Sequence, residues 1–218
     1  MRLRRIAARW IRRDGHLRRV IRLRGSPAAA HGKPVLIRRE SPSDAAVIRA
    51  ITDAAFAPAP APAEAPTGQA PTGQITAEAW LVDELRGSPA WLPALSLVAT
   101  TPGGDVIGHV LCTRAHVGEA PVLALGPLSV RPDRQRHGVG SALVHAVLGA
   151  AEALGEPLVA LLGDPGYYHR FGFRLSAGYQ ITPPEPEWHA HFQVRALTAC
   201  APSLRGAFTS PDPFNRLP

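Results

Sequence analysis

The stretch LGPLSVRPDRQRHGVGSALV, residues 125–144, runs from an apolar, strand-like segment through a polar basic loop into an apolar helix. Val139, Leu143, Val147, Ala150 and Leu154 recur at helical spacing and mark one face, and Gly155 stops the helix. Gly138 and Gly140 stand at its start. The first N–H groups of any helix lack an internal partner, and the aligned peptide dipoles add roughly half a positive charge there. Glycine lets backbone approach a ligand without a Cβ in the way. Arg134, Arg136 and His137 add donors beside it. The pattern reads as an anion site, phosphate above all. For the Gly-x-Gly alone, a tight turn or close helix packing is the competing reading. Neither common nucleotide pattern is present: there is no G-x-x-x-x-G-K-[ST], and the third glycine of G-x-G-x-x-G is missing.

Working outward, three successive strands are expected from LSLVATT, DVIGHVLCTRAHV and PVLALGPLSV, with a hairpin turn at Gly103-Gly104-Asp105. Beyond the helix, PLVALLG reads as a buried strand and DPGYYHR as a short helical turn with Asp164 as cap and Pro165 first inside. FGF at 171–173 is expected to open another strand, and HFQVRAL to hold one more. Upstream, VLIRR from Val35 reads as a strand. SPSDAAVIRAITDAAF reads as a helix with Ser41 as cap and Pro42 at its first position, and TAEAWLVDELRGS as a second helix closed by Gly87. Residues 57–74 contain a tandem APTGQ and almost no large apolar residue, so they are expected to be a disordered loop within the domain. The order of elements predicts one mixed α/β (α+β) domain over residues 35–218.

The chain has 218 residues, 45% hydrophobic, which suffices for one core. It contains no apolar run long enough to span a membrane. Two cysteines, Cys112 and Cys200, are too few for a disulfide scaffold, and a reducing, cytoplasmic setting is expected. The formal charge of +7 is concentrated at one end: residues 1–24 hold ten Arg against one Asp, a net of +9, which leaves −2 for the rest. The domain itself is therefore not expected to bind nucleic acid. Residues 1–34 form a separate basic extension, with Leu3, Ile6, Trp10, Leu17 and Ile21 at roughly helical spacing and a break at Gly15. An anionic membrane surface, nucleic-acid phosphates, or no selected role are the three readings for it; the third is favoured. It lacks the uninterrupted apolar stretch of a secretory signal.

Gln135-Arg136-His137-Gly138-Val139-Gly140 matches the Q/R-x-x-G-x-G/A pattern of the GNAT superfamily of acetyl-CoA-dependent N-acetyltransferases. Tyr168 to Phe173, within YYHRFGF, matches that family's Y-x-x-x-G-F ending. The chain resembles this family over residues 35 to about 175, and most of all its YhbS-like predicted-acetyltransferase branch. The resemblance implies a mixed sheet splayed between the LGPLSV and PLVALLG strands, with acetyl-CoA in the split. Its pyrophosphate would meet the backbone of Arg136, His137, Gly138, Val139, Gly140 and Ser141, and its pantetheine arm the backbone at Leu128 and Val130. One departure is visible: where the family often carries Asn, this chain has Asp164, only four positions before Tyr168.

Direct acetyl transfer to an amine, without a covalent enzyme intermediate, requires deprotonation of the amine, stabilisation of the thioester oxygen and protonation of the departing thiolate. A backbone N–H near Leu128 can supply the second, because Gly126-Pro127 suggests an irregular strand. Tyr168 is the expected acid on resemblance, with Tyr167 as its alternative; a phenol is protonated at neutral pH. Glu84, Glu119, His109 and His116 are open as the base, as is a water chain. Cys112 reads as core filler. His189, His191 and Glu187 lack a third well-spaced ligand set, so no metal is expected. The expected partner is a small-molecule or peptide amine, the expected state a monomer or homodimer. The alternative function is a catalytically silent acyl-CoA-binding module.

Overall fold

The computed structural model describes residues 34–57 and 75–217. The basic extension, and the Pro/Ala-rich segment from residue 58 to 74, lie outside the described residues.

Strand β1 (Leu36–Arg39) leads through a 3-10 turn at Pro42–Asp44 into helix α1 (Ala45–Phe56). The helix thus begins three residues later than Pro42. The Asp44 carboxylate accepts from the Ser41 N–H at 2.8 Å and from Arg38 at 2.6 and 3.0 Å, which ties the turn to β1. Helix α2 (Ala77–Arg86) opens on Thr76, whose hydroxyl accepts from the Ala79 N–H, and closes at Gly87. Strands β2 (Ser96–Thr100), β3 (Val106–Val117) and β4 (Ala120–Val130) form an antiparallel meander. The first hairpin turns at Gly104, whose φ of +91° suits glycine. Helix α3 (Val139–Ala153) and strand β5 (Leu158–Leu162) follow, then the single turn α4 (Pro165–Tyr168), with the Asp164 side chain accepting from the Gly166 N–H. The chain ends in β6 (Arg174–Leu175), β7 (Ile181–Thr182), β8 (Phe192–Ala196) and β9 (Gly206–Thr209).

The sheet order is β1-β2-β3-β4-β5-β8-β6, with β9 on the far end of β3 and β7 on β9. All pairings are antiparallel except β4–β5 and β7–β9, so the sheet is mixed, as expected. FGF does not open a strand: Phe171 ends a 3-10 turn, Gly172 takes a left-handed φ of +85°, and β6 starts only at Arg174. The left-handed glycine reverses the chain before β6 can pair with β8.

Helix α3 covers one face of the sheet, packing Val139, Leu143, Val147 and Ala151 on Leu97, Ala99, Val110 and Cys112. Its approach is close: a Cβ on Gly108 would lie 3.0 Å from Leu143 and 3.2 Å from Val139. Helices α1 and α2 cover the opposite face through Ile48, Ile51, Leu81, Val82 and Leu85. That second face continues as Ala124, Ala160, Trp188, Phe192 and Phe208.

Under α2 lies a buried polar cluster. Glu40 accepts from Arg86 Nε at 2.7 Å and from the Ser96 hydroxyl, and its other neighbour is His109 Nε2 at 3.3 Å. Burial alone would raise the Glu40 carboxyl, but hydrogen bonds from His109, Arg86 and Ser96 outweigh it and hold it at about 2, against an ordinary 4.5. A depressed carboxyl stabilises the fold above its unfolded value, and that contribution disappears as pH falls through the folded one. Glu40→Gln should therefore cost about 2 kcal/mol at neutral pH, since Arg86 loses a charged acceptor. In urea unfolding, the gap between variant and wild type should narrow as pH drops from 4.5 toward 2. A gap that does not depend on pH would refute the linkage.

Candidate active site

The central feature is a fork. Strands β4 and β5 pair in parallel at only Leu123–Val159 and Ala124–Ala160. Beyond that point β4 runs on to Val130 and β5 to Leu162 without pairing to each other. The cause is local. Val110 faces Leu128 and Cys112 faces Leu125, so Leu111 alone opposes Gly126 and Pro127, a bulge that bends β4 away. Gly126 has a φ of +138° and the Gly126–Pro127 peptide is cis. The irregular strand expected from these two residues is therefore present. The Thr52 hydroxyl, on α1, bonds the Ser129 hydroxyl at 3.0 Å and holds the bent strand in place.

After the bulge, β4 delivers the chain to the mouth of α3. Gln135 Nε2 donates to the Val130 carbonyl at 3.0 Å, folding the loop back onto the strand end. Arg136 and Gly138 both adopt left-handed φ, +63° and +84°. The first bond of the helical ladder runs from the Ala142 N–H to the Gly138 carbonyl at 3.0 Å, so Val139, Gly140 and Ser141 have N–H groups ahead of it. Arg136, His137 and Gly138 are exposed at this mouth, and Leu128 and Val130 lie beside it. The residues expected to form the anion site are thus brought together at one end of the fork.

Gly140 has a second constraint that the sequence does not display. A Cβ there would sit 2.9 Å from the Tyr167 hydroxyl, 3.6 Å from Val130 and 3.9 Å from Leu128. Tyr167 therefore aims its hydroxyl at the helix mouth, with the Arg170 guanidinium stacked 4.5 Å from its ring centre. Burial raises its phenol above the ordinary value, with Ser141 and Arg170 opposing. Tyr168 packs edge-on to Phe173, ring centres 5.8 Å apart, and T-shaped to Tyr167 at 4.9 Å. Its ring lies against the backbone of Gly163, where any Cβ would collide at 2.5 Å. Burial pushes the Tyr168 phenol strongly upward, with Tyr167 and Asp164 adding to it. Both tyrosines remain protonated through the neutral range, the state a proton donor requires.

On the α1/α2 face the fork opens into a cavity lined mainly by apolar side chains. Leu125 of β4 and Ala160 of β5 form its floor at the fork, Leu81 and Glu78 of α2 one wall, and Trp188, Phe192, Phe208, Ser210 and Phe214 much of the rest. Glu78 is buried at 1% exposure and, among the described residues, is the only charged one in the lining. It was absent from the candidates raised by sequence, yet a signal existed. Glu78, Leu81, Val82 and Leu85 are buried together, the i, i+3, i+4, i+7 stripe of α2, so a carboxylate occupies an apolar position.

None of Glu84, Glu119, His109 and His116 lines this cavity. Glu119 and His116 are exposed, and Glu84 is half-buried on another face of α2. His109 is fully buried and bonded to Ser96 at 2.9 Å, and burial lowers its imidazole. Cys112 is sealed in the core under α3, where burial pushes its thiol far up, so it offers no thiolate. Among the described residues no group of three His, Cys, Asp or Glu side chains gathers, and no helix is long and apolar enough to cross a membrane.

Residues 66–173 match the model of the acetyltransferase (GNAT) family. The chain is 32% identical over 185 residues to the uncharacterized N-acetyltransferase YhbS of Escherichia coli, covering 84% of this chain and 99% of that protein. It is 38% identical over 144 residues to the uncharacterized N-acetyltransferase YjhQ of the same organism, covering 62% and 79%. The crystal structure of E. coli YhbS in complex with CoA superposes with a TM-score of 0.71 at 31% identity, over 84% of this chain and 93% of that one. A GNAT acetyltransferase from Brucella melitensis in complex with acetyl-CoA gives 0.63 at 33%, over 84% and 99%. With its forked mixed sheet, glycine-led helix and full-length relatives, the chain belongs to the GNAT acetyltransferase family.

Proposed function

We propose that this protein is an acetyl-CoA-dependent N-acetyltransferase that transfers the acetyl group directly to an amine. The observation that carries the reading is the fork, which joins an anion-ready helix mouth on one side of the sheet to an apolar cavity on the other. Relatives of similar sequence hold CoA and acetyl-CoA. In this reading the pyrophosphate meets the N–H groups from Arg136 to Ser141, and the pantetheine amides pair with the strand edge that β5 leaves open at Leu128 and Val130. The thioester then reaches the fork. The neutral amine nitrogen forms a bond to the acetyl carbon, the C–S bond breaks with its electron pair on sulfur, Tyr168 protonates the thiolate, and the proton that the nitrogen sheds as the amide forms passes through solvent to restore the phenol. A backbone N–H beside the bulge stabilises the thioester oxygen as charge grows. Two free thiols, one of them buried in the core, suit a reducing cytoplasm, where we place the reaction. Nothing in the fold or in its relatives favours the silent acyl-CoA-binding alternative.

The test is acetyl-CoA-dependent release of free thiol by the full chain, with a panel of amines, amino acids and peptides. Release above the rate without acceptor is the expected result. Acetyl-CoA binding without release in any member of the panel would overturn the proposal.

A further inference from the structure

We infer that Thr52 and Ser129 form a positioning pair for acetyl transfer: their hydroxyl bond, from α1 to β4, sets where the backbone N–H beside the bulge meets the thioester oxygen. This rests on the N-acetyltransferase reading and adds two buried residues to it. The need for such a pair follows from how β4 is held. Beyond the bulge, Leu128, Ser129 and Val130 face Val110, His109 and Gly108 of β3. Their other edge is open, because β5 pairs β4 only at Leu123 and Ala124. A short segment fixed along one edge, after a break in the ladder, rocks about that edge unless something holds it out of plane. Successive side chains of a strand point to opposite faces. Leu128 and Val130 pack toward α3, and Ser129 between them meets α1.

The hold is a hydrogen bond. Thr52 Oγ1 and Ser129 Oγ lie 3.0 Å apart, across 77 positions of sequence, and either hydroxyl can be the donor. Both residues are fully buried. The same layer holds Ile48 and Ile51 of α1, Val98 of β2 and Leu111 of β3. An apolar pair of equal volume would seal this layer about as well. It would not fix a distance: apolar contact is non-directional, whereas a hydrogen bond restricts both separation and angle. Catalysis is sensitive on this scale, and a misplacement of about 1 Å can cost about 100-fold.

The helix that carries Thr52 is itself anchored at both ends. At its start, the Asp44 carboxylate is held by Arg38 of β1 at 2.6 Å. In its last turns, Asp53 Oδ1 accepts from the Thr76 N–H at 2.6 Å, and Thr76 caps α2. Thr52 therefore reaches the bent strand from a strut tied to β1 on one side and to the start of α2 on the other.

The experiment uses the full chain and acetyl-CoA isotope-labelled at the thioester carbonyl. In difference infrared spectra, the carbonyl band of acetyl-CoA bound to the wild type should lie below that of free acetyl-CoA, since a hydrogen bond to the oxygen weakens the C=O bond. In Thr52→Val the band should return toward the free position. Thr52→Ser, which keeps the hydroxyl, should match the wild type. In thiol release with an amine that the wild type accepts, kcat of Thr52→Val should fall about 20-fold. Acetyl-CoA affinity, by calorimetry, should stay within about 2-fold. Such a split marks an interaction realised in the transition state. Thr52→Val leaves the Ser129 hydroxyl buried without its partner, so Thr52→Val/Ser129→Ala is the second variant: it removes both hydroxyls and should melt close to the wild type. Its kcat should also fall about 20-fold, because the two residues act as one unit. Wild-type kcat in the double variant, a band in Thr52→Val that stays at the wild-type position, or a wild-type band that binding does not lower would overturn the inference. A loss confined to the melting temperature would make the bond purely structural and overturn it too. A band that depends on Thr52, without thiol release from any amine, would support the pair and overturn the acetyltransferase reading instead.

Discussion

Gly138→Asp should weaken acetyl-CoA binding by about 100-fold, while Gly138→Asn should stay within a few-fold of wild type. The two variants separate charge from shape. Gly138 has a φ of +84°, in the left-handed region, and a Cβ there would meet nothing within 4 Å. Asp and Asn are the side-chain-bearing residues that tolerate this conformation best, so both variants should fold. Only Asp places a negative charge at the mouth of α3. Two like charges about 5 Å apart at an effective dielectric of about 20 repel by roughly 3 kcal/mol. At about 1.4 kcal/mol per factor of ten, this amounts to two orders of magnitude. Calorimetric titration with acetyl-CoA at low and high salt is the measurement. Unchanged affinity in the Asp variant would place the pyrophosphate elsewhere.

Tyr168→Phe should lower kcat by about 100-fold, a modest share for loss of a positioned acid, with acetyl-CoA affinity unchanged. The substitution keeps the ring, and with it the contacts to Phe173, Phe171 and the Gly163 backbone, so stability should scarcely change. The pH profile adds a second readout. Because the phenol is raised above its ordinary value of 10.0, it stays protonated as pH climbs, and the wild type should show no alkaline fall in kcat from this group below about pH 10. Tyr167→Phe is the informative partner, since its hydroxyl lies at Gly140 beside Ser141. Full activity in Tyr168→Phe together with a deep loss in Tyr167→Phe would transfer the acid role to Tyr167.

The fold was legible in sequence where a local pattern and its tertiary use agree. The α3 stripe as far as Val147, the β2–β4 meander with its Gly104 turn, and Asp164 as a cap all have short-range causes; Leu154, expected to close the stripe, is 54% exposed, and Leu148 and Ala151 are buried instead. The two-residue strands β6 and β7 have none: they exist because β8 and β9 lie alongside, and partners distant in sequence leave no periodicity to read. The site divides in the same way. The helix mouth is one continuous stretch, and its residues meet as expected. The cavity is assembled from α2, β4, β5 and segments between Trp188 and Leu217, so its walls are scattered along the chain. Glu78 is hard to read in sequence because it stands within the apolar stripe of α2, where an aliphatic core residue is the expectation. Gly163 escaped because what demands a glycine there is a ring folded back from Tyr168, which no spacing rule announces.

The fork also bears on self-association. A strand edge with unpaired N–H and C=O groups is ordinarily a place where another copy of the chain adds itself, and proteins blunt such edges with charge, proline or cover. Here the two bare edges face each other inside a wedge that closes at Ala124 and Ala160, and each strand is already paired on its outer side, β4 to β3 and β5 to β8. A neighbouring molecule cannot insert a sheet into that wedge without forcing it open. A single thin amide chain can enter. On the acetyl-CoA reading, the wedge is wide enough for one narrow chain along the open β4 edge and too narrow for a second sheet.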